Sequence, residues 1–112
     1  MKLHGACIQT HNIDEMINFY KKIFGYEPKI DGEVDFRFLD NQLIIFKLSD
    51  ETMPSTTGIA LIYKVDDVDL EYERLMDSGI ANEPPTNKPW GVRSFIINDP
   101  DGNIVSFIKN LT

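Results

Sequence analysis

Residues 5–28 read GACIQTHNIDEMINFYKKIFGYEP, and residues 58–84 read GIALIYKVDDVDLEYERLMDSGIANEP. Both stretches have the same parts in the same order: a strand, a helix with an amide or acidic N-cap, a glycine stop, and an X-Glu-Pro exit. The interval from cap to stop also agrees, Asn12 to Gly25 in one and Asp66 to Gly79 in the other. We read this as an internal repeat, in preference to two unrelated β-α units that share common caps and stops. A repeated supersecondary unit cannot bury its apolar face alone, so two modules packed together give one core and one cleft.

Working outward, residues 2–10 (KLHGACIQT) are the first strand. Asn12 and Glu15 have capping-box spacing. Ile13, Met16, Ile17, Tyr20 and Phe24 follow with helical periodicity, which predicts one stripe against a sheet. Gly25 stands where a left-handed C-cap belongs, and Lys21 and Lys22 complement the helix dipole. Short strands are predicted at 26–30, 34–39 (VDFRFL) and 42–48 (QLIIFKL), with Asp40-Asn41 as a tight turn. Residues 49–57 (SDETMPSTT) are polar, contain Pro54 and read as a linker.

The second module opens with a strand at 58–65 (GIALIYKV). Asp66 or Asp67 caps a helix that runs to about Ser78, with Val68, Leu70, Tyr72, Leu75 and Met76 apolar. Residues 82–90 (NEPPTNKPW) are a Pro-rich loop, with room for a short strand before it. Residues 92–98 (VRSFIIN) and 103–109 (NIVSFIK) form a hairpin around Asp99-Pro-Asp-Gly. The expected organisation is one domain, 1–112, made of a βαβββ module over 1–48, a linker over 49–57 and a second βαβββ module over 58–112. The fold class is α+β, a cup-shaped mixed sheet with helices outside.

Composition narrows the function. With 112 residues the chain can bury a core without a staple, and 42% apolar residues make it globular. A net charge of −7 disfavours nucleic acid, whose phosphates need a basic footprint; it mildly favours a cationic ligand, or serves solubility alone. One cysteine, Cys7, excludes a disulfide scaffold or a Cys-based zinc site within one chain. No stretch is long and apolar enough to span a membrane. The N-terminus reads as a strand rather than a signal peptide, so the cytoplasm is the default.

Two segments carry a family resemblance. FYKKIFGYEP (19–28), after its N-capped helix start, is similar to the first-helix signature of the vicinal oxygen chelate superfamily. WGVRSFIINDPDGNIVSF (90–107) resembles that superfamily's closing hairpin, chiefly in Trp-Gly-x-Arg and Asp-Pro-Asp-Gly-Asn. The group contains glyoxalases, extradiol dioxygenases and bleomycin- or fosfomycin-resistance proteins. The Asp-Pro-Asp-Gly-Asn turn is architectural: Pro100 presets one φ, Gly102 allows a positive one, and Asp99, Asp101 and Asn103 can bond to local backbone.

In the metal enzymes of that group each module supplies one ligand from its first strand and one from its last. The resemblance places those positions at Gly5, Phe46, Gly58 and Ser106. Glycine and phenylalanine cannot ligate, and one serine does not hold a divalent ion against water. His4 neighbours Gly5, but strand alternation points it to the helix side, and His11 stands just before the helix, where packing or capping is the ordinary role. The expectation is no catalytic metal and no cofactor.

On the resemblance, the pocket side of the strands holds Gly5, Cys7 and Gln9; Ile44 and Phe46; Gly58, Ala60 and Ile62; and Ile104, Ser106 and Ile108. Cys7, Gln9, Phe46, Ile62, Trp90 and Ser106 are the expected ligand contacts. The competing account is that these side chains fill a second core. Trp90 can stack on a planar or cationic ligand, cover a sheet edge, or pack a dimer interface. Arg93 is expected to bridge to Asp99 or Asp101. Cys7 lacks a His on its face to activate it and reads as a buried, inert thiol.

The resemblance implies a non-catalytic binder, a homodimer that sequesters an aromatic or cationic organic compound. Two alternatives stay open. One is a metal-dependent lyase or dioxygenase with ligands moved to His4, His11, Glu15 or other carboxylates. The other is a sensory or structural subunit with a filled cup.

Overall fold

The computed structural model describes residues 1–31, 35–39, 43–49, 52–81 and 83–112. The chain divides into two units, Met1–Thr57 and Gly58–Thr112. Each is a βαβββ module with one helix and one four-stranded mixed sheet, the α+β architecture that the repeat predicts.

The first unit contains β1 (Gly5–Thr10), α1 (Ile13–Phe24), β2 (Lys29–Asp31), β3 (Asp35–Leu39) and β4 (Leu43–Leu48). Its sheet order is β1-β4-β3-β2, with β1 and β4 parallel and the other pairs antiparallel. A parallel pair needs a long crossover, and α1 with the two middle strands supplies it. The helix buries Met16, Ile17, Phe19, Tyr20 and Ile23. These meet Ile8, Phe38, Ile44 and Phe46, which are also buried. Rings dominate this core: Tyr20 and Phe46 lie 4.3 Å apart between centroids, and Phe24 and Phe38 4.9 Å apart.

The ends of α1 divide the expectations. Gly25 takes φ 80°, and its N–H donates to the Lys21 carbonyl at 2.8 Å, the predicted left-handed stop. The capping box does not form. Asn12 makes no side-chain cap bond, and its own N–H donates to Thr10 Oγ1 at 2.9 Å. Glu15 therefore has no open donor to reach back to. The strand expected at 26–30 begins only at Lys29, after Pro28, which has no N–H to give a ladder. Val34, the Asp40-Asn41 turn, Gln42, and Asp50 and Glu51 of the linker lie outside the described residues.

The second unit contains β5 (Ala60–Lys64), α2 (Val68–Asp77), β6 (Thr86–Asn87), β7 (Val92–Asn98) and β8 (Ile104–Asn110), in sheet order β5-β8-β7-β6. Asp67, not Asp66, is the N-cap: its carboxylate accepts from the Leu70 N–H at 3.1 Å. The interval to Gly79 is thus one residue shorter than that from Asn12 to Gly25. Of the apolar helix positions, Val68 and Leu75 are buried and Tyr72 packs its ring edge on Phe95 at 5.5 Å. Leu70 and Met76 are exposed. Phe95 and Phe107 stack across β7 and β8 at 5.0 Å. The short strand β6 lies inside the Pro-rich run rather than before it; Asn82 of that run is outside the described residues.

The β7–β8 turn is built as expected. Asp99, buried, accepts from the N–H groups of Asp101 and Asn103 through Oδ1, both at 2.9 Å. Gly102 has φ 86° and donates to the Asp99 carbonyl at 2.9 Å. Asn103, fully buried, accepts from the Ile59 N–H at 3.3 Å and so ties the turn to the entry of β5. Among the described residues, no helix is long and apolar enough to cross a membrane.

Candidate functional site

Strand register decides which side chains are open to a ligand. In the first unit the parallel pairing sets Ile8 beside Phe46, Cys7 beside Ile45 and Gln9 beside Lys47. Ile8 and Phe46 have no exposed surface and lie under α1. Alternation then puts Gly5, Cys7, Gln9, Ile45 and Lys47 on the opposite, open face. This corrects the expectation for Phe46 and Ile44. Both face the helix, and Phe46 is a core residue wedged between Tyr20 and Phe38. It has no exposed surface and does not line the open face. The residues missed in its place are Ile45 and Lys47. Their signal is the register itself, because LIIF is an apolar run without alternation and does not declare its faces.

In the second unit Ile62 pairs with Ser106, and Ser106 with Ile96. The neighbours Leu61, Val105 and Ile97 point to α2, with Val105 and Ile97 buried. The open face therefore carries Ile62, Ile96, Ile104, Ser106 and Ile108. Ile62 is 65% exposed and Ile96 51% exposed. Large apolar side chains this bare on a sheet face are what a ligand or partner covers. Gly58 does not share the face. It precedes β5, with φ 76°, and the strand begins at Ala60.

Trp90 sits in the turn before β7 and is 72% exposed, so it covers no sheet edge within its unit. The turn is held from both sides: the Gly91 N–H donates to the Lys88 carbonyl at 3.1 Å, and the Leu111 N–H to the Gly91 carbonyl at 2.9 Å. Arg93 does not reach Asp99 or Asp101. It bonds Asp69 on α2 (Nη2–Oδ1 2.8 Å, Nε–Oδ2 3.0 Å) and Asn87 on β6 at 3.1 Å. Register explains this, since Arg93 shares the helix-facing side of β7 with Phe95 while the Asp99 carboxylate is occupied within its turn. The Arg93 hydrogen bond holds the Asp69 carboxyl below its usual range, with the guanidinium charge acting in the same direction.

The first unit has a shallow hollow of about 190 Å³, lined by Gln9, Lys47, Leu48, Ser49 and Met53. Residues 55 and 56 edge β1 beside it. The Thr56 N–H donates to the Gln9 carbonyl at 2.8 Å, the Gln9 N–H to Thr56 Oγ1 at 2.9 Å, and the His11 N–H to Ser55 Oγ at 3.0 Å. Cys7 is exposed rather than buried. His4 precedes β1 and is exposed rather than turned to the helix, as are His11 and Glu15. Among the described residues, no three His, Cys, Asp or Glu side chains gather as a set able to hold a metal ion.

Comparison with known proteins accounts for this arrangement at the level of fold. A protein of Bacillus subtilis strain 168, the uncharacterized YraH, is 29% identical over 128 aligned positions, covering 99% of this chain and all of its own. TnmS3, an antibiotic-binding protein of Streptomyces sp. CB03234, superposes with a TM-score of 0.77 at 24% identity, over 98% of this chain and 96% of its own. A lactoylglutathione lyase of Agrobacterium tumefaciens does so with a TM-score of 0.74 at 21% identity, over 96% of this chain and 92% of its own. A binder and an enzyme thus share this architecture, and at such identities the likeness carries the fold alone. The sequence profile of the glyoxalase/bleomycin resistance protein/dioxygenase superfamily matches residues 2–107, and the chain belongs to that superfamily.

Proposed function

We propose that the protein binds a small, partly aromatic organic compound and holds it without turnover. The observation that carries this reading is the bare apolar face of the second sheet. Ile62 and Ile96 flank Ser106, a polar point at their centre. Small-ligand sites combine apolar walls with a few polar groups in this way. Trp90, exposed on a turn held at both ends, supplies a ring that can stack. The position of Ser106, where the superfamily's enzymes have a metal ligand, supports binding over metal chemistry, as do Gly5 and the lack of a gathered ligand set among the described residues. TnmS3 has this fold and binds an antibiotic, so the architecture is compatible with such a role.

The net charge of −7 draws cations at long range. The open face of the second sheet, however, carries Lys64 and no acidic residue. Of the two ligand classes, aromatic and cationic, the aromatic one is retained. In this reading the protein is a cytoplasmic homodimer that binds no nucleic acid, and its exposed thiol, Cys7, suits a reducing compartment.

The test is a titration of the freshly purified protein with a panel of aromatic compounds, read by the fluorescence of its one tryptophan and followed by recovery of the compound. Saturable change with the compound returned intact is the expected result. Turnover, or a stoichiometric tightly bound divalent metal in elemental analysis, sinks the proposal and favours the enzyme reading.

A further inference from the structure

We infer that the hollow at the end of β1 and β4 is a binding site for the carboxylate of a small organic acid. This goes beyond the binding function proposed above, whose face belongs to the second unit, and concerns a separate site within the first unit. The hollow's volume, about 190 Å³, equals the liquid share of about six waters. That is room for a carboxylate with a short apolar group.

The chemistry of the lining selects the ligand. Gln9 and Lys47 stand side by side on the open face through parallel pairing. Both backbone polar groups of Gln9 are engaged by Thr56. The Ser49 hydroxyl donates to Gln9 Oε1 at 3.4 Å, which occupies the amide oxygen and leaves its NH2 to donate. An ammonium and an amide NH2 are therefore presented together, with Leu48 and Met53 as the apolar wall. Such a pair fits a carboxylate through charge-assisted hydrogen bonds, while a cationic ligand meets Lys47 as a like charge.

The experiment is an amide-resolved NMR titration of the full chain with sodium butyrate, butylammonium chloride, butanol and sodium phosphate at constant ionic strength. Butyrate is expected to give saturable shifts at Gln9, Ser49 and Met53, and butylammonium none. Lys47→Gln, at an exposed position that leaves the fold intact, lowers butyrate affinity about tenfold. Butyrate shifts that are absent or unsaturable, or an unchanged affinity in Lys47→Gln, overturn the inference. Phosphate binding as tightly as butyrate overturns the assignment to an acid with an apolar tail. If neutral aromatic compounds bind while butyrate does not, this inference alone fails; if no compound of any charge binds, the binding function fails with it.

Discussion

Arg93 on β7 grips Asp69 on α2 with two donors, Nη2 to Oδ1 at 2.8 Å and Nε to Oδ2 at 3.0 Å, across 24 residues of sequence. The same guanidinium bonds Asn87 at 3.1 Å, so one side chain fastens helix, central strand and edge strand of the second sheet. The two-donor geometry is the strongest form of an ion pair, but this one faces water, where such pairs contribute little.

Asp69→Asn is therefore expected to lower the thermal midpoint by about a few degrees at most. The pH dependence gives the sharper test. The folded-state carboxyl is held low by the Arg93 hydrogen bond and charge. Its contribution is complete above the unfolded value of about 3.8 and is lost as pH falls through the depressed folded one. The difference between wild type and Asp69→Asn should persist at neutral pH and shrink on acidification below that value. A difference that grows in acid contradicts the pairing.

Asp99 presents the opposite case, an acceptor with almost no exposure. Its Oδ1 serves the N–H groups of Asp101 and Asn103. Asp99→Ala strands both donors and is expected to cost about 2–4 kcal/mol in urea unfolding. Asp99→Asn keeps the accepting oxygen and should cost well under half of that. Equal losses in the two variants would show that charge, rather than the bonded oxygen, holds the turn.

The repeat, the glycine stop at Gly25 and the Asp99–Asn103 turn were legible because each is a local device with fixed spacing. The partner of Arg93 was not, since it comes from a helix that only the tertiary fold brings near. Phe46 was misplaced for a related reason. The resemblance places a position on the last strand of the module without fixing its phase, and an uninterrupted apolar run offers no alternation to fix it. The second module shows the right phase: Ser106 lies beside Ile62 on the open face, while Phe107 turns to the helix side as Phe46 does. The capping box failed because Thr10 Oγ1 had already taken the Asn12 N–H.

The corrected phase makes a prediction of its own. Phe46→Ala removes a fully buried ring and is expected to cost about 3–5 kcal/mol. Ile62→Ala, at a position 65% exposed, should stay within about 0.5 kcal/mol. Affinity for an aromatic ligand should respond in reverse, falling in Ile62→Ala and holding in the fold-preserving Phe46→Leu. Chemical denaturation and calorimetric titration of the three variants measure both. A Phe46→Leu protein that folds normally yet loses the ligand would return Phe46 to the site.

Trp90 divides binding from stability more cleanly than any other residue. At 72% exposure, its truncation removes little packing, so Trp90→Ala should unfold within about 0.5 kcal/mol of wild type. If the indole stacks on the ligand, the loss of an aromatic pair corresponds to about a three- to tenfold weaker affinity, measured by calorimetry because the variant lacks the fluorescent reporter. Trp90→Phe keeps a ring face and should recover most of the difference. The turn itself should be unaffected, since Gly91 bonds Lys88 and Leu111 through backbone groups alone. An aromatic ligand that binds Trp90→Ala as tightly as wild type places the indole outside the site, and leaves Ile62, Ile96 and Ser106 to account for recognition without it.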